Sequence, residues 1–369
     1  MKKILFLIHD LGQGGAEKVL INLVNNMNRA KFDVSVIALF GGGVNEQFLA
    51  SDIHYRAVFS KEFPGNSHLM KLLTPKQLHK LCVKEEYDIE VSYLEGPSAR
   101  VISGCTNSET KLVTWIHSVH TSQKQLASSF RSIEEMQGCY ARFDRVICVS
   151  NHIRETLCEL LPIREKSSVL YNTIESEEVI RKSLEVAEEI EEDEKIRLVS
   201  VGTLKEVKGF ERLLRIVKRL TEEDYSIKLY LLGEGPLKNR LQNYISENGL
   251  DDVVKMLGYQ LNPYKFVSKC HLFVCSSYSE GFSTAVTEAL VVGTPVCTVE
   301  VSGMKEMLGE NNEYGVVTEN SEEMLYTAVK GLLDNPDQLE LYCEKAAERG
   351  TFFSKENTIR AVEEMLLAL

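Results

Sequence analysis

Residues 277–290 have the sequence SYSEGFSTAVTEAL, and an apolar run of strand character, residues 271–276, comes directly before them. Beyond Phe282 the apolar residues recur at helical spacing, so we expect a strand, a turn and then a helix. Ser283 is a residue type that commonly caps the first turn of a helix, where backbone N–H groups lack partners. Because these N–H groups and the positive end of the helix dipole point the same way, the turn predicts an anion-binding site.

Two carboxylates bracket this turn. Glu280 comes before the helix, and Glu288 lies about a turn and a half inside it, on the same general side. This arrangement suits a nucleotide sugar. The backbone N–H groups can bind its diphosphate, and the carboxylates on either flank can bind its hydroxyl groups. A surface loop with a helix cap and two solvated glutamates is the better interpretation of any one residue alone. The complete string favours the ligand site.

The string resembles the Glu-x7-Glu segment of the retaining glycosyltransferases of family 4 (glycosyl transferases group 1), which have the GT-B fold. In that family the first Glu meets the donor sugar, and the second meets the ribose of the nucleotide. The resemblance therefore implies that Glu280 contacts the donor sugar and Glu288 the ribose. The backbone groups that it implies for the diphosphate are those of Gly281, Phe282, Ser283 and Thr284.

Length and composition limit the class of protein. The chain has 369 residues, of which 44% are hydrophobic, and this is enough for two buried cores. The apolar run after Lys3 is too short for a secretory signal, and no run approaches the length of a membrane span. Nine cysteines without a Cys-x-x-Cys pair indicate a reduced, cytoplasmic protein, and a net charge of −12 argues against nucleic-acid binding.

Apolar runs of strand character alternate with helical stretches along the whole chain, which predicts parallel α/β sheets with ligands at the C-terminal ends of the strands. The expected fold is α/β, with two Rossmann-like doubly wound domains facing across a cleft, as in GT-B. The segment around Asn172 resembles the end of the first domain in the family, and the acidic run 188–194 is expected to be a solvated linker region. We expect an acceptor-binding domain at 1–173, a nucleotide-sugar-binding domain at 174–352, and a C-terminal helix, 353–369, that packs back on the first domain.

A glycine-rich loop, residues 12–17, follows the first strand, and such a loop lets the backbone approach a phosphate closely. A dinucleotide-binding fingerprint is disfavoured, because Glu17 occupies the third glycine position and no acidic residue ends the next strand. The loop is similar to the first loop of many family 4 enzymes, which implies that Gly14 and Gly15 contact the donor. A loop that needs glycine only for its turn is the open alternative.

His117 stands at the predicted C-terminal end of a strand, where ligands bind in this class of fold. In the resembling family a His at this place contacts the donor sugar or the phosphate, so His117 is expected to act with Glu280 in catalysis. His120 is a second candidate. The Glu95-Gly96-Pro97 segment resembles members that build bacterial surface polysaccharides, which suggests a glycan or lipid-linked glycan acceptor and a peripheral contact of the N-terminal domain with the inner face of the cell membrane.

Lys208 matches the lysine of the family's Gly-Arg-Leu…Lys-Gly motif, which implies a contact with the diphosphate. Thr203 stands where the motif usually has arginine, so one of the two usual positive charges is missing. By the same resemblance, the turn at Gly235 shapes the nucleotide pocket, and the backbone of Gly258 and Tyr259 reads the base.

The resemblance implies transfer of a sugar from a nucleoside-diphosphate sugar, most commonly a UDP-sugar, to an acceptor hydroxyl group with retention of configuration. The sequence does not distinguish a covalent carboxylate intermediate from attack on the same face. No Asp-x-Asp triplet occurs, so we expect no metal site and no cofactor besides the donor substrate. A GT-B UDP-N-acetylglucosamine epimerase or hydrolase and a non-catalytic nucleotide-sugar-binding protein are the alternatives, and an NAD(P)-dependent dehydrogenase is disfavoured by the failed fingerprint.

Overall fold

The structure is a computed structural model that describes residues 1–12, 14–190 and 193–369, with only the backbone for residues 67–69. It divides the chain into two compact units. The first unit comprises Met1–Ile174 and Glu356–Leu369, and the second comprises Glu175–Lys355. The expected domain boundaries, after residues 173 and 352, lie one and three residues from these limits. Residues 191 and 192 of the predicted acidic linker lie outside the described residues.

The first unit is built on a seven-stranded parallel sheet in the order β3-β2-β1-β4-β5-β6-β7. Its strands are β1 (Lys2–Ile8), β2 (Phe32–Phe40), β3 (His54–Phe59), β4 (Ile89–Ser92), β5 (Lys111–Ile116), β6 (Arg145–Cys148) and β7 (Ser167–Val169). Its helices from the N-terminal segment are α1 (Gly15–Asn26), α2 (Asn66–Leu72), α3 (Pro75–Cys82), α4 (Pro97–Ile102), α5 (Gln123–Leu126), α6 (Ile133–Ala141) and α7 (Asn151–Leu160). The central strand β1 is completely buried from Ile4 to Ile8, as expected for an apolar run that is covered on both faces.

The second unit is built on a six-stranded parallel sheet in the order β10-β9-β8-β11-β12-β13. Its strands are β8 (Ile196–Val201), β9 (Ile227–Leu232), β10 (Val254–Gly258), β11 (Leu272–Cys275), β12 (Val296–Val299) and β13 (Val316–Thr318). Its helices are α8 (Ser176–Ser183), α9 (Phe210–Glu222), α10 (Lys238–Glu247), α11 (Tyr264–Val267), α12 (Thr284–Val291), α13 (Met304–Leu308), α14 (Glu322–Leu333) and α15 (Pro336–Phe352).

Both sheets reverse their strand order at the first strand of the unit. β1 lies between β2 and β4, and β8 lies between β9 and β11. The loops that leave the C-terminal ends of these neighbouring strands diverge, and ligands of open α/β sheets bind in the crevice between them. The prediction of two α/β units with parallel sheets is therefore confirmed, and the ends of β1, β4, β8 and β11 are the places to look for the site.

The C-terminal helix α16 (Lys355–Leu367) packs on the first unit. Glu363 accepts a hydrogen bond from the backbone N–H of Asn28 at 2.6 Å, and its carboxylate lies 3.4 Å from Lys31 Nζ. Lys2 Nζ donates to the carbonyl oxygen of Leu366 at 3.1 Å. These polar contacts flank a buried apolar stripe on the helix, so the two ends of the chain belong to the same unit.

In the described part of the chain, the structure contains no helix with both the length and the hydropathy that crossing a membrane requires.

Candidate functional site

The turn that begins at Gly281 and leads into α12 is fixed from several directions. Ser283 caps the helix, because its Oγ accepts a hydrogen bond from the N–H of Val286 at 3.4 Å. Ser302 Oγ donates to the carbonyl oxygen of Gly281 at 2.9 Å. The Phe282 side chain is buried, with its ring centroid 5.9 Å from that of Phe353. The predicted helix start is thus present, and the backbone of 281–284 is held in one conformation.

A lysine–glutamate pair lies beside this turn. Lys208 Nζ donates to Glu280 Oε1 at 2.6 Å, and Ser277 Oγ donates to the same oxygen at 2.6 Å. The Glu280 side chain is 10% exposed and that of Lys208 is 27% exposed, so both charges are partly withdrawn from water. A partly buried ammonium and carboxylate interact more strongly than an exposed pair. The structure therefore brings together two of the residues that the sequence assigned to the donor.

Arg212 of α9 organises the backbone under this pair. Its Nε donates to the carbonyl oxygen of Ser276 at 2.6 Å, and its Nη2 donates to that of Ser277 at 2.7 Å. Gly209 has a left-handed φ of +64°, and a Cβ there would lie only 2.0 Å from the Ser276 oxygen. The loop that carries Lys208 can therefore approach the end of β11 only with glycine at 209. Sequence reasoning missed Arg212, although an arginine on the apolar stripe of a helix is the signal that could have identified it.

Glu288 is positioned by a residue from another helix. The Tyr264 hydroxyl group, on α11, donates to Glu288 Oε1 at 3.0 Å. The Tyr264 side chain is buried, so it holds the carboxylate from the protein side. Tyr264 was also missed by sequence reasoning, because a tyrosine on a short helix carries no recognisable pattern.

The loops after β8, β9 and β10 pack against one another through backbone contacts. Leu204 N–H donates to the Glu234 carbonyl oxygen at 3.0 Å. A Cβ on Gly235 would lie 2.6 Å from the Leu204 oxygen. Gly258 has a left-handed φ of +69°, and a Cβ there would lie 3.1 Å from Glu234 Oε1. Glycine at 235 and 258 therefore permits the close approach of these loops at the C-terminal edge of the sheet.

Two other predicted donor residues of the second unit lie on these loops with exposed side chains. Thr203 follows β8 and is exposed, and its carbonyl oxygen accepts from the N–H of Lys205 at 2.7 Å. The side chain of Tyr259 is 70% exposed directly after β10. Its ring is therefore accessible from solvent, although single exposed apolar side chains are common on protein surfaces and do not by themselves mark a site.

In the first unit, His117 follows β5 and is half-buried. Its backbone N–H donates to Glu95 Oε2 at 3.0 Å, and its ring centroid lies 5.0 Å from that of Tyr93. Burial lowers the pKa of His117 to about 4, against the opposing effect of the Glu95 charge, so the ring is neutral at neutral pH. Its Nε2 is buried without a hydrogen-bond partner among the residues that the structure describes. A buried, unpaired ring nitrogen is costly, so a further hydrogen-bond partner at Nε2 would be favourable; the contact of His117 with the donor stays a prediction.

Glu95 gathers both histidine candidates around one carboxylate. His120 Nε2 lies 3.4 Å from Glu95 Oε1, while the His117 backbone binds the other oxygen. Burial raises the pKa of a carboxyl group, but here the contacts from His120, His117 and Ser118 outweigh it and lower the pKa of Glu95 to about 2. Glu95 is therefore ionised at all physiological pH values. The sequence marked its segment as a motif but did not predict that it would connect the two histidines.

The glycine-rich loop leads into α1 with Gly14 as the N-terminal cap residue and Gly15 as the first helical residue. A Cβ on Gly14 would lie 2.0 Å from Glu17 Oε2, because the glutamate side chain folds back over the loop. Burial raises the pKa of Glu17. A Cβ on Gly15 would meet no atom within 4 Å, so no neighbouring group crowds this position. Gln13, within the same loop, lies outside the described residues.

One group of described residues could hold a metal ion by distance. The ligand atoms of His79, Glu90 and Cys105 lie within 4.8 Å of one another. His79 Nε2 is already 2.7 Å from Glu90 Oε2, and hydrogen bonds to Cys105 and Glu90 outweigh burial and raise the pKa of His79 to about 9. The group lies near the start of β4, away from the C-terminal edge of the sheet. We interpret it as a buried ion pair that links α3 to the sheet.

Comparison with known proteins gives two family matches that together span most of the chain. Residues 13–178 match the model of Glycosyltransferase Family 4, and residues 182–350 match that of Glycosyl transferases group 1. The N-acetylgalactosamine-N,N'-diacetylbacillosaminyl-diphospho-undecaprenol 4-alpha-N-acetylgalactosaminyltransferase of Campylobacter jejuni is 31% identical over 100% of both chains. The lipopolysaccharide core biosynthesis glycosyltransferase LpsD of Rhizobium meliloti is 30% identical over 38% of this chain and 39% of its own.

Among solved structures, Anabaena HepE in complex with UDP superposes with a TM-score of 0.79 at 18% identity, covering 100% of both chains. This structural likeness, at 18% identity, shows the fold alone. The similarity to the Campylobacter enzyme over both full chains and the two family matches show the family. This chain belongs to the family 4, group 1 glycosyltransferases and is an enzyme of the GT-B fold.

Proposed function

We propose that this glycosyltransferase moves a sugar from a UDP-sugar to a hydroxyl group of a lipid-linked glycan, with retention of configuration, in the synthesis of a bacterial surface glycan. The observation that carries the proposal is the Lys208–Glu280 pair, which lies directly beside the capped start of α12. The Campylobacter relative, whose name describes a diphospho-undecaprenol-linked acceptor, supports the acceptor class. The UDP in the HepE complex supports the nucleotide.

The donor would bind mainly to the second unit. The N–H groups at 281–284 and the Lys208 ammonium would hold the diphosphate, and Glu280 would contact the donor sugar. Glu288, oriented by Tyr264, would contact the ribose. The nucleoside would lie against the loops after β8, β9 and β10, which carry Thr203, Gly235, Gly258 and Tyr259.

Breaking the donor's glycosidic bond builds positive charge on the sugar and negative charge on the leaving diphosphate. Lys208 and the backbone N–H groups would stabilise the negative charge, and preorganised donors of this kind are worth roughly 3–4 kcal/mol each. Glu280 would contact the donor sugar, where the positive charge develops. His117 is neutral, so we assign it a hydrogen bond to a sugar hydroxyl group through Nε2 instead of charge pairing with the phosphates. Gly14 and Gly15 are further proposed contacts of the donor.

Because Lys208 and the helix start supply positive charge, we propose that turnover needs no added metal ion and no cofactor besides the donor. EDTA should leave the rate unchanged, whereas loss of activity that Mg²⁺ or Mn²⁺ restores would contradict this. We further propose that the enzyme works at the inner face of the cell membrane, with the first unit near the lipid-linked acceptor.

A thermal-shift panel of nucleotide sugars tests the donor, because a ligand that binds only the folded protein raises its melting temperature. The donor found in this way is then incubated with synthetic polyprenyl-diphosphate glycans, and mass spectrometry and NMR report the added sugar and its anomeric configuration. Release of UDP without any acceptor would indicate a hydrolase or epimerase. Binding without turnover, unchanged in Glu280→Gln, would indicate a non-catalytic protein, and an inverted product would contradict retention.

A further inference from the structure

The Arg212 side chain lies among buried apolar residues of α9 and is itself only 1% exposed. The buried apolar neighbours on the same helix include Phe210, Leu213, Leu214, Ile216 and Val217. Burying a charge is costly, and apolar side chains of similar volume commonly replace buried charges without loss of stability. Stability alone therefore does not account for a guanidinium at this position.

The three nitrogens of this guanidinium each reach a different acceptor. Nε donates to the carbonyl oxygen of Ser276 at 2.6 Å, and Nη2 donates to that of Ser277 at 2.7 Å. Nη1 donates to Oδ1 of Asn320, in the loop before α14, at 2.8 Å. Asn320 Nδ2 in turn donates to the carbonyl oxygen of Tyr278 at 3.3 Å, and the Arg212 guanidinium carbon lies 4.2 Å from the centroid of the Tyr278 ring. The charge is thus held by neutral groups, and most of them belong to the segment 276–278.

The two serines that Arg212 holds use their hydroxyl groups on the lysine–glutamate pair of the donor turn. Ser277 Oγ donates to Glu280 Oε1 at 2.6 Å, and Ser276 Oγ donates to the carbonyl oxygen of Lys208 at 3.0 Å. The contacts of Arg212 therefore fix the backbone from which both hydroxyl groups project. Through Ser277, a chain of two hydrogen bonds leads from the buried guanidinium to the Glu280 carboxylate.

We propose that Arg212 is a positioning residue of the transfer reaction, which acts through Ser277 to hold the Glu280 carboxylate towards the donor sugar. The inference rests on the proposed function, because that function assigns the donor sugar to Glu280. A misplacement of about 1 Å at a reacting centre can cost roughly 100-fold in rate, so an arginine that fixes this geometry can be retained despite its desolvation. Lysine would not replace it, because a single ammonium nitrogen cannot reproduce the planar fork of donors that a guanidinium presents.

A binding test measures this positioning without requiring turnover. Calorimetry gives the affinities of UDP and of each UDP-sugar for wild type, Arg212→Lys and Arg219→Lys, the last being the same substitution at an exposed position of α9. The ratio of the UDP-sugar affinity to the UDP affinity isolates the contacts of the sugar. In Arg212→Lys we expect this ratio to fall about fivefold, as for the loss of one hydrogen bond. UDP affinity should stay within about twofold, because Ser283 and Ser302 still hold the turn at 281–284.

Arg219→Lys should keep both wild-type values. The inference is overturned by an unchanged ratio in Arg212→Lys, by an equal fall of the ratio in Arg219→Lys, or by the failure of every UDP-sugar to bind wild type. A wild-type protein that binds a UDP-sugar but transfers nothing would contradict the proposed function and leave this test intact.

Asn320→Ala gives a second, milder variant at an exposed position. It removes one acceptor of the guanidinium and should lower the affinity ratio about two- to threefold. It takes the place of Arg212→Lys if circular dichroism shows that variant to be unfolded, and an unchanged ratio in Asn320→Ala would then overturn the inference.

A double-mutant cycle tests the route through Ser277. The kcat is measured for Arg212→Lys, Ser277→Ala and the double variant. We expect each single variant to lose about 10- to 100-fold, and the double variant to lie within about twofold of the slower single variant, because the backbone position of Ser277 no longer matters once its hydroxyl group is gone. Losses that multiply, or a kcat of either single variant close to wild type, would overturn the inference. Where wild type transfers no sugar, the same cycle is read from the affinity ratio.

Discussion

At the scale of single residues, the site depends on a few side chains that receive more than one contact. Glu280 Oε1 accepts from both Lys208 Nζ and Ser277 Oγ, at 2.6 Å each, so its carboxylate orientation is set before any ligand arrives. Preorganisation of this kind removes the cost of reorientation during the reaction. The same pairing holds Lys208 at the turn, where its charge can serve the diphosphate of a donor.

Removing the Lys208 charge tests this arrangement. We expect Lys208→Met to lower kcat/KM by about 100- to 1,000-fold, because the leaving diphosphate loses its charged partner. Steady-state kinetics with the donor identified by thermal shift gives the measurement. Lys205→Met, which removes an exposed lysine from the same loop, is the matched control and should stay near wild type. A Lys208 variant with less than a fivefold loss would contradict a role in charge stabilisation.

His117 gives a prediction for stability against pH. Its pKa is about 4 in the fold and 6.5 ordinarily, so below pH 6.5 the unfolded chain binds a proton that the folded chain does not. Stability should therefore fall as the pH drops from 6.5 to 4, by up to about 3 kcal/mol from this residue. Glu95, with its pKa lowered to about 2, adds a loss in the same direction below pH 4.5.

Urea unfolding measured across this range checks the prediction for His117. In His117→Asn the decline between pH 6.5 and 4.5 should become shallower than in wild type. His54→Asn removes a histidine whose side chain is 71% exposed and should keep the wild-type slope. Equal slopes in all three proteins would show that His117 is not held neutral by burial.

At the scale of elements, the start of α12 is where capping and ligand binding meet. Ser283→Ala should lower the free energy of unfolding by about 1 kcal/mol, because Val286 N–H loses its partner. The proposed donor site uses the same backbone, residues 281–284, and needs it to be ordered. The affinity for UDP should therefore also fall, by about fivefold. Denaturant titration and calorimetry with UDP measure the two effects.

The cap of α14 supplies the control for this prediction. Ser321 Oγ accepts from the N–H of Met324 in the same capping arrangement, on a helix that carries none of the predicted donor residues. Ser321→Ala should cost a similar free energy of unfolding and leave UDP affinity unchanged. If both variants weakened UDP binding equally, the effect would belong to general destabilisation and not to the donor turn.

The sequence predicted the strands and helices well. The apolar runs of β1 and β11 and the apolar stripe of the helix after Phe282 are local sequence patterns, and they are visible because strands and helices that are buried in a parallel α/β unit need apolar side chains. The partners of Arg212 and Tyr264 could not be predicted, because they lie 64 and 24 residues away and are chosen only by packing, although the arginine on an apolar stripe was a signal that Arg212 is buried. Gly235 stays a prediction for the nucleotide pocket, and the structure adds a local reason for glycine there, because a Cβ would lie 2.6 Å from the carbonyl oxygen of Leu204.

At the scale of the whole molecule, the chain leaves the first unit at residue 174 and returns to it at 356, so the stability of that unit depends on both ends of the sequence. Glu363 is 7% exposed and accepts the N–H of Asn28, while Lys31 approaches its other oxygen. Removing the Glu363 acceptor takes a charged partner from the partly buried N–H of Asn28, at a cost of about 1 kcal/mol.

We therefore expect Glu363→Ala to lower the stability of the first unit selectively. Hydrogen-exchange mass spectrometry should show faster exchange around Asn28 and in β1, because these segments lose the contact with α16, while β8–β13 keep wild-type protection. Glu364→Ala, at the exposed neighbouring position, is the matched control and should change neither unit. Faster exchange throughout the second unit would contradict the assignment of the C-terminal helix to the first, whereas a change confined to the first unit would show that both chain ends stabilise one sheet.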